Sequence, residues 1–424
     1  MDALPDTRFE PFVEYPARFL VWWGLLAFLC RLGSRRQSDF ELRDLETHVL
    51  ANVNALAQTS QEALPVHKTL AHYLGHVGHE PLARLRAQMV RRLIRQKVFD
   101  PDRLLGHLVV ACDGTGHLSF RRRHCPDCLT AEHEHGTYYY HEVCEAKIVT
   151  RSGLAVSIGT EFLDNRLRKG GQPQAEELGA FARLADSLHR DYPQTPLCIS
   201  GDSLYACGAV LTICEGYGWA YVLTFHPGRM PALWREFLSL LTLCPEQVRQ
   251  TTLPDGSALE FRWVNGLEYT DDDGRTHRFN AILCRDRAPD GSERTFAWIT
   301  SFSVTAGTVI AIAQQGGRDR WKIENEGFNV QKNQGYELEH AYGRSPLLLR
   351  CFYLLLQIAH LITQLVAKGS LLRRAAQAYG RSVRDLYGSE RNLARRLLEA
   401  LRFTLIPAHA HSPGDRIQIR LDSG

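Results

Sequence analysis

The sequence predicts an α/β protein in which helices flank a mixed sheet. From about residue 104 onward, short runs of β-branched and aromatic residues alternate with longer amphipathic segments. Two of the apolar runs, ACDG around Asp113 and ISGD around Asp202, reach an aspartate beside a glycine. The 424 residues are 44% hydrophobic and 23% charged, which is enough apolar surface for one large domain or for two or three smaller ones.

Charge and cysteine content limit the classes of protein that fit. The formal net charge is only +3, so a nucleic-acid partner has to be inferred from local clusters rather than from bulk charge. The eleven cysteines are an odd number, and we see no cleavable signal pattern. This favours reduced thiols over a disulfide framework, and we expect a cytoplasmic protein.

Residues 1–103 are predicted to form a helical, DNA-binding region. The apolar segment Phe19–Leu32 has about a dozen apolar residues where a membrane span needs about 20, so it predicts a core helix. Helices over Glu41–Gln58 and Leu82–Val98 follow, and the second is rich in arginine. Its basic face is either solvated or in contact with DNA phosphates. The residues predicted to bind DNA here are Arg91, Arg92 and Arg95.

Residues 104–225 are predicted to be the first part of an α/β core. Three strands, a helix, a strand, a helix and a further strand follow one another, which is the element order of an RNase H-like fold. The predicted strands are Leu104–Gly114, Tyr138–Thr150, Leu154–Thr160, Pro196–Asp202 and Trp219–Phe225, and the predicted helices are Ala175–Arg190 and Leu204–Glu215.

The remaining chain is predicted to complete this core. Residues 226–301 have short strand-like pieces separated by PDG and DDDG turns, which indicates a β-rich insertion. The second part of the core covers 302–372, and a basic helix over Glu390–Arg402 and a flexible polar tail belong to 373–424. Within the core, the apolar run Pro346–Val366 has a polar stripe at helical spacing, so we expect an amphipathic core helix and no membrane contact.

The two aspartates and one later glutamate form a predicted metal site. Residues at the ends of neighbouring strands converge, so Asp113 and Asp202 can share divalent ions. Helical periodicity in residues 320–340 puts Glu324 on one stripe with Arg320, and Glu326 on the other side, which makes Glu324 the better third ligand and Glu326 the fallback. Oxygen ligands favour two Mg²⁺ or Mn²⁺ ions, which suit in-line displacement at phosphorus.

Three segments resemble the acidic motifs of DDE-type insertion-sequence transposases. These are ACDGT, ISGDSLY and RWKIENEGFNVQKNQGY, and the resemblance covers roughly residues 104–366. The resemblance implies that Asp113, Asp202 and Glu324 are catalytic. It also implies that the protein acts on transposon ends and target DNA as a homodimer. In that superfamily the helix with the third acid often carries Tyr, Arg, Glu and Lys. The residues around Glu324 depart from this pattern, with Gly317 in place of Tyr and Gln331 in place of Lys. We expect Arg320 and Lys332 to contact DNA.

A second metal site is predicted between the first two strands. Cys125 and Cys128 have C-x2-C spacing, and histidines follow, so a structural zinc ion is one interpretation and reduced cysteines in a tight turn the other. His133 and His135 are the predicted imidazole ligands, and His124 and His141 are also close by in sequence. The hairpin 121–144 would then carry three DNA-binding arginines, Arg121, Arg122 and Arg123.

The leading functional hypothesis is therefore a transposase that cuts at the ends of a mobile element and joins the freed 3′-hydroxyl to target DNA. An RNase H-like nuclease without strand transfer is one alternative. A domesticated, non-catalytic DNA-binding protein is the other.

Overall fold

A computed structural model describes residues 4–43, 47–134, 136–165 and 176–407. The first hundred residues are helical, as predicted. The helices are α1 (Ala17–Leu29), α2 (Arg35–Leu42), α3 (Val49–Ala57), α4 (His67–Val77) and α5 (Glu80–Arg95). The predicted helix over 41–58 is interrupted, because α2 ends at Leu42 and α3 begins at Val49.

The described residues contain ten strands in one mixed sheet. The strands are β1 (Leu108–Phe120), β2 (Leu129–His133), β3 (Gly136–Val149), β4 (Ala155–Leu163), β5 (Leu197–Gly201), β6 (Ala220–Thr224), β7 (Val248–Thr252), β8 (Ala258–Thr270), β9 (Thr276–Arg287) and β10 (Glu293–Thr300). Three helices lie between them: α6 (Glu177–Asp191), α7 (Gly208–Tyr217) and α8 (Pro231–Leu243).

The strand order is β2-β3-β1-β5-β6-β10-β9-β8-β7. Strand β4 also pairs with β3, on the edge that faces away from β1 and next to β2. Strands β1, β5 and β6 are parallel neighbours, and the remaining pairings are antiparallel. The two parallel connections each contain a helix, α6 or α7, as such crossovers require. The predicted mixed sheet flanked by helices is therefore confirmed.

The β-rich segment predicted over 226–301 extends this sheet. Strand β10 pairs with β6 antiparallel, with Ile299 opposite Leu223, and β9, β8 and β7 follow outward. The sequence predicted the strands of this segment but not their position, because the pairing of β10 with β6 joins residues about 75 apart in sequence.

The acidic segment forms one irregular helix over residues 309–333. It begins with α9 (Val309–Ala311), continues as a π-helical turn (Ile312–Gly317), a 3-10 turn (Arg318–Trp321) and a second π-helical turn (Ile323–Asn329), and ends with α10 (Val330–Asn333). π-helical turns inside helices occur frequently at functional sites. We call residues 309–333 the acidic helix.

The last part of the chain is helical and starts with a buried core helix, α11 (Pro346–Lys368). By length and composition α11 could cross a membrane, but 72% of its most apolar window is buried inside the protein. It packs against α1, and the two share an apolar core with residues such as Phe19 and Leu355. Helices α12 (Ser370–Ala378), α13 (Val383–Tyr387) and α14 (Glu390–Phe403) follow. The tail predicted to be flexible lies beyond residue 407, outside the described residues.

Candidate active site and metal centre

Two aspartates lie just beyond the residues over which the parallel strands β1 and β5 pair. Asp202 follows the end of β5, whereas Asp113 lies inside β1, which continues to Phe120 and so does not end at this acid as predicted. Strands β1 and β5 pair in register with Ala111 opposite Ser200, so Asp113 and Asp202 each lie two residues beyond that pair. The backbone N–H of Leu204 donates to Asp202 Oδ1 at 2.8 Å, which holds the turn after β5. The parallel register therefore brings together two acids that are 89 positions apart in sequence.

Asp113 lies in an environment that resists its negative charge. Its Oδ2 accepts a hydrogen bond from Arg320 Nη1 at 3.1 Å. Burial, and then the charges of three neighbouring carboxylates, raise the pKa of Asp113 to about 7, although the Arg320 charge opposes this shift. These carboxylates are Glu324, Glu177 and Asp202. A cation bound among these oxygens would relieve the repulsion between them.

The acidic helix separates its two glutamates. Glu324, in the second π-helical turn, is close enough to Asp113 for its charge to raise the pKa of that aspartate. Glu326 instead lies beside Gly153 and Lys368, whose ammonium counteracts the rise in the pKa of Glu326 that burial causes. The structure thus places Glu324, and not Glu326, near Asp113.

Sequence reasoning missed two further carboxylates, Glu142 on β3 and Glu177 at the start of α6. Both lie against Gly114, where an added Cβ would be 2.8 Å from Glu177 Cδ and 2.9 Å from Glu142 Oε1. The Tyr205 hydroxyl donates to Glu177 Oε1 at 2.7 Å, and burial raises the pKa of Glu177. The only sequence signal is Gly114 itself, because a glycine after a strand acid permits a close approach of other side chains.

The structure shows what surrounds Gly317 and Gln331, the two positions that depart from the transposase pattern. An added Cβ at Gly317 would lie 2.5 Å from Trp298 Nε1, so the Trp298 indole of β10 occupies the space beside the position where a tyrosine is usual. Gln331 is fully buried and exchanges hydrogen bonds with Gln357 of α11, at 2.8 and 3.1 Å. Lys147 of β3 donates to the same Gln357 at 3.1 Å, so a buried lysine reaches this position from another element.

The predicted DNA-binding residues divide into exposed and internally bonded ones. Arg92, Arg95 and the run 121–123 are exposed. Arg91 donates to the Asp191 carbonyl at 3.0 Å, and Lys332 pairs with Glu339 at 3.3 Å. Arg320 is buried against Asp113, which assigns it to the acidic site rather than to an open surface.

A second group of side chains could bind a metal such as zinc. The ligand atoms of four residues all lie within 4.8 Å of one another, and we call them the His–Cys cluster: His124, Cys125, Cys128 and His141. Burial lowers the pKa of His141 to about 4, which keeps its ring neutral, and burial together with Cys128 raises the pKa of the Cys125 thiol to about 11.

The histidines of this cluster differ from the predicted pair. His133 is exposed at the end of β2 and packs against Tyr138, so it is not part of the cluster. His135 lies outside the described residues. The prediction favoured histidines just after the C-x2-C turn, whereas the β2–β3 pairing brings His141 back to the turn from β3.

Comparison with known proteins gives no relative. No protein-family model matches the chain, and no curated protein matches it.

Proposed function

We propose that the protein is a DDE-type transposase with an RNase H-like catalytic core. The observation that carries the proposal is the β1–β5 register, which puts Asp113 and Asp202 two residues beyond the same pair, together with the hydrogen bond of 3.1 Å from Arg320 of the acidic helix to Asp113 Oδ2. Burial, and then the charges of neighbouring carboxylates that include Glu324 and Asp202, raise the pKa of Asp113, which supports a site shared by the three acids. The strand order β4-β3-β1-β5-β6, with β1, β5 and β6 parallel, is also the order expected of an RNase H-like core.

The donor set fits Mg²⁺ or Mn²⁺. Asp113, Asp202 and Glu324 offer hard carboxylate oxygens, and Glu177 adds negative charge beside them, as such ions prefer. Two bound ions would stabilise the attacking and leaving oxygens of a displacement at phosphorus. Arg320 holds the Asp113 carboxylate in place at 3.1 Å, and Leu204 N–H does the same for Asp202.

The proposed reaction has two steps, and its only reactants are water and DNA. Water attacks a phosphodiester at the element end, and the bond from phosphorus to the 3′-oxygen breaks to leave a 3′-hydroxyl. That hydroxyl then attacks a target phosphodiester, which forms one P–O bond and breaks another. The exposed arginines of α5 and of residues 121–123 would hold DNA phosphates, which position a duplex without reading its sequence.

The test compares two neighbouring glutamates on the acidic helix. Sequencing the DNA that flanks the gene would identify bracketing inverted repeats, from which a labelled end duplex is made. We expect Glu324→Gln to reduce Mg²⁺-dependent cleavage at least about 100-fold, since charge stabilisation by the ions contributes several kcal/mol. Glu326→Gln is the matched control and should cut normally, because Glu326 lies beside Lys368.

Other outcomes separate the competing functions. Cleavage without a joined product would favour an RNase H-like nuclease. Binding to the end duplex without any metal-dependent cleavage by the unmodified protein would favour a non-catalytic DNA-binding protein. Loss of cleavage in Glu326→Gln but not in Glu324→Gln would contradict the assignment of the third acid.

A further inference from the structure

We propose that the His–Cys cluster binds one structural zinc ion that anchors the β1–β2 turn to helix α11. Two thiolates and two imidazoles are a ligand set that closed, tetrahedral zinc sites use. Cys125, Cys128 and His141 are buried, so the site is closed to substrate, as a structural rather than a catalytic ion requires. This inference is independent of the proposed transposase activity.

The distances within the cluster match one tetrahedral ion. The two sulfurs are 3.4 Å apart, Cys125 Sγ is 3.4 Å from His141 Nε2, and Cys128 Sγ is 3.3 Å from His124 Nδ1. With Zn–S of about 2.3 Å and Zn–N of about 2.0 Å, tetrahedral ligands lie about 3.3 to 3.8 Å from one another. The three contacts above would lengthen by a few tenths of an ångström to accommodate the ion, and the other ligand pairs, which lie within 4.8 Å, would shorten where they exceed this range.

Charge and distance favour a divalent ion over a disulfide at the cluster. Two thiolates and two neutral imidazoles neutralise a divalent ion, so the bound site has no net charge to bury. A disulfide would need the sulfurs to approach from 3.4 Å to about 2.0 Å, and it would leave both imidazoles without a role. Both thiols are free in the structure.

The ion would fix more than the turn that binds it. Asp127 lies between the two cysteines with its side chain buried, and its Oδ2 accepts from Arg350 Nη2 of α11 at 2.9 Å. The same Arg350 nitrogen donates to Asp164 beyond β4 at 2.7 Å. The turn is thereby tied to α11, which in turn is bonded to the acidic helix through Gln357 and Gln331. The exposed run 121–123 directly precedes the first ligand, so the ion would also fix the base of this basic segment.

Elemental analysis of the full chain, purified without chelators, tests the ligand set. We expect about one zinc per chain in the unmodified protein, less than about a tenth of that in Cys128→Ser and His141→Ala, and a full equivalent in His133→Ala. His133 is the matched control because it is an exposed histidine on the same hairpin. Absence of zinc from the unmodified protein, or a full equivalent in His141→Ala, would overturn the proposal.

A second measurement does not depend on the variants folding. Chelator-treated unmodified protein should bind Co²⁺ with the visible absorption of a tetrahedral thiolate complex, and added zinc should displace it. Hydrogen exchange should rise in residues 121–128 and in the first turns of α11 when zinc is removed, and should fall again with zinc but not with Mg²⁺. No cobalt spectrum would refute the site, and unchanged exchange in α11 would refute its anchoring role.

Discussion

Asp113 should reduce the stability of the metal-free protein. Its pKa is about 7 in the folded protein, compared with an ordinary value of 3.8 for an aspartate in the unfolded chain. At about 1.36 kcal/mol per pKa unit, ionised Asp113 costs the fold about 4 kcal/mol above pH 7. Asp113→Asn removes this cost, which already includes the opposing attraction of Arg320 for the carboxylate. We therefore expect the variant to be more stable by about 4 kcal/mol at pH 8.

The pH dependence of this gain follows from the direction of the shift. Because the folded state holds the Asp113 proton more tightly than the unfolded chain, the unmodified protein loses stability as pH rises from about 4 to about 7. The variant has no such loss. The difference in free energy of unfolding between the two proteins should be small near pH 4 and reach its full size above pH 7.

Urea unfolding of both proteins in magnesium-free buffer at several pH values measures this difference. Glu176→Gln is the control, since Glu176 is an exposed carboxylate at the start of α6. Saturating Mg²⁺ should stabilise the unmodified protein and leave Asp113→Asn unaffected. A variant that is less stable than the unmodified protein at pH 8 without Mg²⁺ would refute the reasoning, because Asp113 would then be a net stabilising group.

Two further predictions concern the site and the DNA surface. Gly114→Ala should lower the free energy of unfolding by about 1 to 3 kcal/mol, because the added Cβ would displace Glu177. Gly179→Ala on α6 is the control, since a Cβ there meets nothing within 4 Å and should not lower stability. Melting temperatures of both variants test this. Replacing exposed Arg92 and Arg95 together by Glu should weaken DNA binding and make the slope of log affinity against log salt shallower by about two, provided that each contacts a phosphate. Gel-shift titrations at several salt concentrations measure that slope, and an unchanged slope would remove α5 from the interface.

Local sequence signals predicted the elements of the fold well. Apolar and β-branched runs gave β3 and β4 within three residues of their observed bounds, and the polar stripe gave α11 as a buried helix. The prediction for β1 was less accurate, since the strand begins at Leu108 and continues six residues past the predicted end, to Phe120. The irregular turns of the acidic helix could not be predicted, because regular periodicity was assumed for it. The assumed regular helix nevertheless put Glu324 and Glu326 on different sides, and in the structure Glu324 lies near Asp113 while Glu326 lies near Lys368.

The site was only partly visible in the sequence. Strand ends and helical periodicity predicted Asp113, Asp202 and Glu324 as the site, but they gave no reason to connect Glu177 with Gly114, since their contact depends on how α6 packs on the sheet. The same limit applies to Arg86 of the basic α5. It points inward to Glu145 at 3.7 Å and so is not part of the predicted DNA-binding face.

By itself, the sequence determined which segments become strands and helices and which side chains carry acid, thiol or positive charge, because these depend on residue type and short-range spacing. Only the tertiary structure decided which of those groups meet. Strand register aligned Asp113 with Asp202, and hairpin pairing brought His141, rather than His133, to the cysteines. Burial then raised the pKa of Asp113, which spacing along the chain cannot encode, because desolvation and charge repulsion depend on distances in space.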